Sequence, residues 1–444
     1  MDKIDIAGVK TDAISKQELL EEIKRRAKNG QKTWLTTLYS EFLHAALKDE
    51  AVLTMLNKAD IAVADGIGIM WAAKYLSVPL TANNYWFKII QALWQAAYTG
   101  AMIILAPKKI RSVIPEKIVG ADLVWDLAKL AADNGLSIYL LGGFDDTPKL
   151  AAKKLQATSY QLRAAWSNKN PDDPSVVDDI KKAAPDFLLV AYGPLKQESW
   201  IAQNLTNLPV KLAVGLGGTF DYIAGKKPTP PHFLRYGGFE WLYRLFTQPK
   251  RIKRIFNATF GLVVALVKYK VFSSLPFRQN AVSVVLNERN EVFIARFNPR
   301  KRIINALGYD PREFTDYWQL PQGGIEKDET LEEGARRELW EETAMRHLDF
   351  IKVSDRRYSY LWKNPAQRPL LIRKRFQYKG QQQHVVYFRF KGPEKEVVLD
   401  WDEFVEYKWV PWQDLEKELH QEKIPLAKIA LDDIRQIPSL INPA

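Results

Sequence analysis

The sequence has no cysteine among its 444 residues, which excludes disulfides and thiolate metal sites and permits a reducing compartment. It has five histidines without the spacing of metal ligands, which argues against a zinc site: His44, His232, His347, His384 and His420. The first 15 residues lack an apolar core segment, so we expect no signal peptide. Acidic residues are outnumbered by basic ones, and the net charge of +12 favours an anionic partner such as nucleic acid, a phosphate-rich substrate or a membrane surface.

Several of the acidic residues are concentrated in one stretch, residues 317–345, with the sequence YWQLPQGGIEKDETLEEGARRELWEETAM. Glu338, Glu341 and Glu342 stand at i, i+3 and i+4, so they share one face of a predicted helix. Such close like charges repel one another, and a hard divalent cation with oxygen ligands removes that cost. Mg²⁺ is the natural candidate because it also binds substrate phosphates, and Mn²⁺ is a second candidate. The alternative interpretation is a solvated acidic face.

This stretch resembles the Nudix hydrolase box at Gly323, Glu329, Arg337, Glu338, Leu339, Glu341, Glu342 and Met345. The sequence departs from the box only at Ala344, where glycine is usual. The resemblance implies Mg²⁺-dependent hydrolysis of a nucleoside diphosphate linked to another group. It implies metal binding by the three box glutamates, deprotonation of the attacking water by Glu341 or Glu342, and substrate binding by Gln322, Gly323 and Gly324.

Residues 318–324 and 380–383 resemble, more particularly, the RNA pyrophosphohydrolase and dinucleoside-polyphosphate hydrolase branch of that family. In that branch Glu403 would be an additional metal ligand, and its alternative interpretation is a surface charge at the end of a strand. A nucleotide or an RNA 5′ end is the substrate class that follows from this resemblance.

Residues 1–225 alternate short apolar runs with helical patterns, which predicts an α/β domain with a largely parallel, Rossmann-like sheet. Ser15 followed by Glu18 predicts a capping box at the start of a helix. Four predicted strands end beside Gly or Asp, at residues 65–68, 142–143, 192–194 and 215–219. Ligands of parallel sheets bind beyond the carboxyl ends of the strands, so these ends together predict a phosphate or nucleotide site.

The same residues resemble the WecG/TagA/CpsF glycosyltransferases, in five segments that follow the family's order: 64–68, 140–143, 193–200, 215–226 and 238–254. The resemblance implies an inverting, metal-independent transfer of N-acetylmannosamine or a related sugar. The donor would be a UDP-sugar and the acceptor a sugar linked to undecaprenyl diphosphate. Asp65 would be the base that takes the acceptor hydroxyl proton, a role that suits a carboxylate. The alternative for Asp65 is a structural turn at a strand end.

Further substrate-binding residues follow from this resemblance: Thr37, Lys117, Gln197, Glu198, Asp221, Arg244, Arg251 and Arg254. Three positions depart from the family pattern, with Tyr39 in place of Asn, Lys117 in place of Arg, and Thr229 where an Arg-Ala-Pro begins. Lysine keeps the charge but loses the bidentate grip of arginine on phosphate. These departures support a second hypothesis, a catalytically weak transferase-like platform that binds lipid or RNA and carries one active hydrolase.

Two segments suggest a membrane surface. Residues 83–114 are an apparent insertion relative to the family, and residues 89–107 within it carry no charge. We interpret them as a helix that binds the membrane interface or the acceptor lipid, with a core helix, a contact in a homo-oligomer and a true span as alternatives. Residues 226–278 hold eleven Lys or Arg and one acid among aromatics, which suits anionic lipid or the RNA backbone. We therefore expect a cytoplasmic enzyme, peripherally associated with the inner face of the cell membrane.

The length, with 47% hydrophobic and 26% charged residues, predicts two globular domains. We place a glycosyltransferase at 1–260, with its basic membrane-targeting appendage from about 226, and a linker at 261–278. A Nudix hydrolase then occupies 279–425, where strands surround the predicted metal helix in an α+β sandwich (α/β/α), and 426–444 form a tail.

Overall fold

The computed structural model describes residues 2–228, 243, 256–299, 316–362, 378–437 and 440–441. The chain divides into two compact units, and the division falls between Ser274 and Leu275.

The first unit begins with an antiparallel hairpin of β1 (Lys3–Ile6) and β2 (Val9–Asp12). The apolar run Ile4–Val9 does not form a single strand, because the backbone reverses within it. Ala7 has a φ of 54° and Gly8 a φ of 94°, so both lie in the left-handed region that turns the chain. Gly8 N also donates to Asp5 Oδ1 at 2.7 Å, which stabilises the turn.

A six-stranded parallel sheet forms the centre of the first unit. Its strands are β3 (Thr33–Leu38), β4 (Ile61–Ala64), β5 (Ser137–Gly142), β6 (Arg163–Ser167), β7 (Phe187–Ala191) and β8 (Leu212–Gly215). They are ordered β4-β3-β8-β7-β5-β6, and every neighbouring pair is parallel. The central strands are buried on both faces: Leu140 and Leu189 lie in one core cluster, Tyr139 and Leu188 in another. The predicted α/β class is confirmed.

Helices cover this sheet, and most of them follow a strand. They are α1 (Lys16–Lys28), α2 (Ser40–Ala46), α3 (Glu50–Leu56), α4 (Ile67–Ser77), α5 (Tyr85–Leu105), α6 (Pro107–Ile110), α7 (Gly120–Asp133), α8 (Thr147–Thr158), α9 (Ser175–Ala183), α10 (Lys196–Asn204), α11 (Thr219–Ala224) and α12 (Leu262–Ser273). The predicted capping box is present at α1, where Glu18 N donates to Ser15 Oγ and Ser15 N donates to Glu18 Oε2.

The segment 261–278, expected from the sequence as a linker, contains α12 instead of an extended connection. Leu266, Val267 and Val271 of α12 are fully buried in a cluster with residues of α4 and α5. The physical reason is that apolar side chains lie on every side of α12, with only Lys268, Lys270 and Ser273 polar, and such a helix is stable when other elements enclose most of it.

The second unit is built on a seven-stranded mixed sheet. Its strands are β9 (Phe277–Leu286), β10 (Glu291–Phe297), β11 (Trp318–Gln319), β12 (Gln322–Gly324), β13 (Leu348–Leu361), β14 (Gly380–Phe390) and β15 (Phe404–Pro411). The order is β11-β10-β9-β14-β13, with β12 paired to β9 and β15 paired to β10. Among the strand pairs that the structure describes in this second sheet, only β9–β14 is parallel.

Helices pack on both faces of this sheet: α13 (Leu331–Thr343) on one, and α14 (Leu415–Glu418) and α15 (Ile424–Gln436) on the other. Leu426, Ala430 and Ile434 of α15 are buried at four-residue spacing in the core. Residues 424–436 are therefore part of the core, although the sequence suggested a tail from 426. The predicted α+β sandwich is confirmed.

Candidate active sites

The first candidate site lies at the carboxyl ends of β3 and β4, which are adjacent in the sheet. Thr37 is the last residue but one of β3, and Asp65 directly follows β4. Gly120 N, at the start of α7, donates to Asp65 Oδ1 at 3.2 Å. A Cβ atom on Gly120 would lie 3.3 Å from Asp65 Oδ2 and 3.6 Å from Thr37 Oγ1. The two predicted site residues thus converge on a residue that presents only backbone.

Lys117 belongs to the same corner of the sheet. Ile118 N donates to Ala64 O at 2.8 Å, so the segment that carries Lys117 is hydrogen-bonded to the last residue of β4. Lys117 itself is half-buried. Tyr39 also lies nearby, since a Cβ atom on Gly66 would be 3.6 Å from Tyr39 Cβ. Two of the three departures from the family pattern therefore flank Asp65.

Gln197 and Glu198 lie beneath a loop, out of contact with solvent, with exposures of 2% and 0%. Gln197 Oε1 accepts from Gly217 N at 3.0 Å, and Gln197 Nε2 donates to Glu198 Oε1 at 3.0 Å. Leu195 N donates to Glu198 Oε2, also at 3.0 Å. Both side chains therefore hold the loops that follow β7 and β8 in place.

Burial raises the pKa of Glu198 from 4.5 to about 7, although its three hydrogen bonds act in the opposite direction. Gly215 explains how two such side chains fit under the loop, because a Cβ atom there would collide with both of them. The β8 end consequently requires glycine for packing, independently of any ligand.

Asp221, on α11, is paired with Lys227 and only partly exposed. The carboxyl ends of the neighbouring strands turn at Gly142, Gly193 and Gly217, whose φ values are 87°, 89° and 52°. Arg244, Arg251 and Arg254, together with Thr229, lie outside the described residues.

The second candidate site is centred on α13, which starts with a capping box of Thr330 and Glu333. The strand before it, β12, pairs with β9 and places Gly323 directly against Glu338: a Cβ atom on Gly323 would overlap the Glu338 carboxyl group. Gly324 is in similar contact with the guanidinium of Arg278. Gly323 therefore allows the strand to approach the acidic face of the helix, and Gly324 leaves room for the Arg278 guanidinium.

Arg337 connects the acidic residues of this helix. Its Nε donates to Glu329 Oε1 at 2.7 Å and its Nη2 to Glu329 Oε2 at 3.0 Å. Its Nη1 donates to Glu338 Oε1 at 2.9 Å and to Glu341 Oε2 at 3.3 Å. The hydrogen bond from Arg337 lowers the pKa of Glu329 to about 2. Burial raises the pKa of Glu338, and the charge of Glu341 acts in the same direction.

Glu342 points away from Arg337 and is 6% exposed. Its Oε2 accepts from Gln322 N at 3.2 Å. Gln322 Oε1 in turn accepts from Gln383 Nε2 at 2.8 Å and from Lys423 Nζ at 3.1 Å. Lys423 stands immediately before α15, and burial lowers its pKa to about 8. This chain of contacts joins the box helix to two elements far away in sequence.

A sequence model of the glycosyl transferase WecG/TagA/CpsF family matches residues 4–101 and 96–275. The chain belongs to this family. A model of the NUDIX domain matches residues 276–429, so the second unit is a NUDIX domain. The two matches meet within one residue of the division between the structural units.

Among characterised relatives of this WecG/TagA/CpsF member are Staphylococcus aureus proteins. The protein of strain MRSA252 is named N-acetylglucosaminyldiphosphoundecaprenol N-acetyl-beta-D-mannosaminyltransferase. It is 27% identical over 257 residues, which are 57% of this chain and 88% of that protein. The protein of strain NCTC 8325 has the same name, identity and coverage.

Solved structures similar to this chain include a MutT protein from Methanosarcina mazei Go1, at 19% identity and a TM-score of 0.25. The matched region covers 37% of this chain and 96% of the MutT chain. The C. elegans Ap4A hydrolase binary complex has 17% identity and a TM-score of 0.25, with coverages of 36% and 99%. At these scores the likenesses carry no argument about function.

The box of the NUDIX domain supplies donors that fit a hard divalent cation, because Glu338 and Glu341 direct carboxylate oxygens at the same Arg337 nitrogen. The predicted set of Glu338, Glu341, Glu342 and Glu403 is not assembled as one cluster. In the part of the chain that the structure describes, no three acidic or histidine side chains are grouped closely enough to enclose a metal. The reason is that Arg337 binds two of the glutamates while Gln322 N binds a third.

Glu403 lies in the loop before β15, and this loop is fastened to the end of the box helix. Asp400 N donates to Glu342 O at 2.9 Å, and Val398 N donates to Thr343 O at 3.0 Å. The backbone of Glu403 accepts from Asn298 N at 2.8 Å. Glu403 is therefore on the Glu342 side of the NUDIX domain, as a backbone-anchored, half-buried residue.

Sequence reasoning missed Lys423. The local sequence HQEKIP gives no signal for it, because its importance comes from packing between α15 and β12. It also missed that Tyr317 donates to Glu422 at 2.9 Å and stacks on His420 with ring centroids 4.2 Å apart. These residues precede Lys423 and fix the turn that carries it.

Proposed function

We propose that the chain is a bifunctional enzyme. The first unit transfers N-acetylmannosamine or a related sugar, with inversion, from a UDP-sugar to a sugar linked to undecaprenyl diphosphate. The second unit hydrolyses a nucleoside-diphosphate-linked substrate in the presence of Mg²⁺. The observation that carries the first half is the convergence of Asp65 and Thr37 on the backbone of Gly120 at the carboxyl edge of a parallel sheet.

In the proposed transfer, Asp65 accepts the proton of the acceptor hydroxyl through the oxygen that is not bonded to Gly120 N. The acceptor oxygen then forms a bond to the anomeric carbon of the donor, and the bond between that carbon and the UDP oxygen breaks. Attack from the face opposite UDP inverts the configuration. The Gly120 N hydrogen bond fixes the orientation of the Asp65 carboxylate.

The test is an Asp65→Asn variant in a transfer assay with UDP-N-acetylmannosamine and a lipid-diphosphate acceptor analogue in detergent. We expect turnover to fall at least about 100-fold, since general base catalysis contributes about 10² to 10⁴. The matched control is Asp133→Asn, an exposed position at the end of α7. Equal turnover of the Asp65 variant and the unchanged chain would leave Asp65 without a chemical role, whereas no turnover by the unchanged chain would favour the binding-platform hypothesis.

In the proposed hydrolysis, a water oxygen forms a bond to phosphorus and the bond between that phosphorus and its bridging oxygen breaks. Glu341 or Glu342 takes the water proton. Glu341 is exposed at the surface of α13, whereas Glu342 is buried and accepts a hydrogen bond from Gln322 N. The box glutamates, with Glu403 as a further candidate ligand, would hold Mg²⁺, and the bound cation would neutralise the diphosphate and lower the pKa of the water. The predicted substrate-binding residues Gln322, Gly323 and Gly324 form β12, the strand beside the box glutamates.

The substrate is identified by supplying the full chain and Mg²⁺ with UDP-sugars, dinucleoside polyphosphates or triphosphorylated RNA. Glu341→Gln and Glu342→Gln variants test the chemistry, with Glu326→Gln, an exposed glutamate before the helix, as the control. We expect chelator and either box variant to abolish cleavage. Unchanged cleavage in chelator with both glutamates neutralised contradicts the proposal.

We propose that the two activities act on one pool of nucleotides, the hydrolase clearing a nucleotide product or limiting the sugar-nucleotide supply. Cleavage of UDP-sugars or of UDP-derived products is the expected result. Activity restricted to RNA 5′ ends or dinucleoside polyphosphates would contradict this coupling. The basic segment 226–278 supports a peripheral position at the inner face of the cell membrane, where the lipid-linked acceptor is found.

A further inference from the structure

One face of α5 exposes an unusual number of large apolar side chains. They range from 47% to 82% exposed and recur at three- and four-residue spacing: Trp86, Phe87, Ile90, Leu93, Trp94, Tyr98, Ile104 and Leu105. Trp94 and Tyr98 stack on each other, with ring centroids 5.0 Å apart. We call this set the α5 apolar face. A contiguous set of exposed large apolar side chains marks a binding surface.

The opposite face of α5 is fixed to the first unit. Ala92, Gln95 and Thr99 are buried, and Trp71 Nε1 donates to Thr99 Oγ1 at 3.0 Å. Gln95 Nε2 donates to Pro79 O, also at 3.0 Å. Lys88 Nζ donates to Ser274 O at 3.0 Å, which attaches the first turn of the helix to the end of α12. The orientation of the apolar face is therefore set by packing.

The charge around α5 indicates which partner this face meets. Residues 66–115 contain no aspartate or glutamate, although they contain five basic residues. Lys108, Lys109 and Arg111 follow the carboxyl end of α5 directly, and all three are exposed. An apolar face with tryptophan and tyrosine, bordered by cations and free of acids, matches the interfacial region of an anionic bilayer.

We propose that the α5 apolar face inserts into the interfacial region of an anionic membrane, with α5 lying in the membrane plane. The described residues include no helix that is long and apolar enough to cross a bilayer. The buried face of α5 also has to remain packed on the first unit, which requires a flat orientation. A second copy of the chain is the alternative occupant of this face, and the double variant described below distinguishes it from a membrane. The inference extends the proposed peripheral position by naming the surface that enters the lipid.

The absence of cysteine allows a direct test in the full chain. Leu93→Cys, labelled with an environment-sensitive fluorophore, is mixed with vesicles of phosphatidylglycerol and phosphatidylcholine or of phosphatidylcholine alone. The matched control is Tyr160→Cys, a position in the same unit that is 99% exposed. We expect a blue shift and emission increase at 93 with anionic vesicles only, and no change at 160. No response at 93, while the chain sediments with the vesicles, would overturn the inference.

A second measurement uses sedimentation with the same vesicles and a double variant, Phe87→Ser with Trp94→Ser. We expect vesicle affinity to fall at least tenfold, whereas Tyr160→Ser with Trp401→Ser, also exposed aromatics, leaves it unchanged. Equal affinity of the double variant, or its conversion of a dimer to a monomer without a change in vesicle binding, would contradict membrane insertion. The detergent transfer assay needs no bilayer, so a failure here is separable from a failure of the proposed transfer.

Discussion

Glu198 carries a prediction about stability that follows from its burial. It is 0% exposed beneath the loops that follow β7 and β8, and burial raises its pKa to about 7. Both of its oxygens accept hydrogen bonds, from Leu195 N and from Gln197 Nε2. Replacing it by glutamine removes the ionisable proton and keeps the shape. The Glu198→Gln variant therefore separates the electrostatic cost of this residue from its packing.

The magnitude follows from the pKa values. A carboxyl group at 4.5 in the unfolded chain and at about 7 in the folded unit contributes stability that is fully present below pH 4.5. This stability is lost as the pH rises through 7. Each pKa unit corresponds to ~1.4 kcal/mol, so the unchanged chain should lose about 2 to 3 kcal/mol between pH 5 and 8.5 from this group.

The Glu198→Gln variant should not show this pH-dependent loss of stability, because glutamine does not ionise. It has its own cost at every pH, because its amide nitrogen must face a donor, either Leu195 N or Gln197 Nε2. A buried donor without an acceptor costs about 1 to 3 kcal/mol. We therefore expect the variant to be less stable than the unchanged chain at pH 5 and equal or more stable at pH 8.5.

Hydrogen exchange measured by mass spectrometry gives the opening free energy of β8 separately from that of the second unit. Rates are corrected for intrinsic exchange at each pH and compared from pH 5 to 8.5. Glu21→Gln, at an exposed position of α1, is the matched control and should follow the unchanged chain. If the difference between the Glu198 variant and the unchanged chain stays constant across this range, the carboxyl group is not buried as a raised-pKa acid and the reasoning fails.

Three further substitutions test other contacts. Ala344→Gly should stabilise the second unit by about 1 kcal/mol in thermal unfolding, because Ala344 ends α13 with a φ of 56°, and an unchanged or lower midpoint would contradict this. Gly215→Ala should destabilise β8 by about 1 to 3 kcal/mol in hydrogen exchange, since its Cβ collides with two buried side chains, and unaltered protection would show that the loop can move. Lys423→Met should lower hydrolase kcat/KM about tenfold by removing a donor to Gln322, with Lys428→Met on the same helix as the control; equal losses in both would indicate a general effect on α15.

The fold could be predicted where local pattern and burial agree. Strands of the first unit were visible as short apolar runs, because a parallel sheet buries both faces and leaves no alternation. The pattern was less informative where burial depends on another element. On sequence alone α12 belongs to a linker and most of α15 to a terminal tail. Their apolar residues are explained only by the cores that they complete.

The two candidate sites differ in how much of them is local in sequence, and this determines what could be predicted. Glu338 and Glu341 stand on one helix, so their spacing alone placed them together, and the structure brings both to Arg337. Asp65 and Thr37 come from different strands, and only a family resemblance connected them before the structure placed both beside Gly120. For the same reason the role of Lys423 could not be predicted from the sequence. Its partner Gln322 is about 100 positions away, so the residues next to Lys423 in sequence contain no pattern that predicts the contact. Buried cations of this kind can be identified only from the packing in the structure.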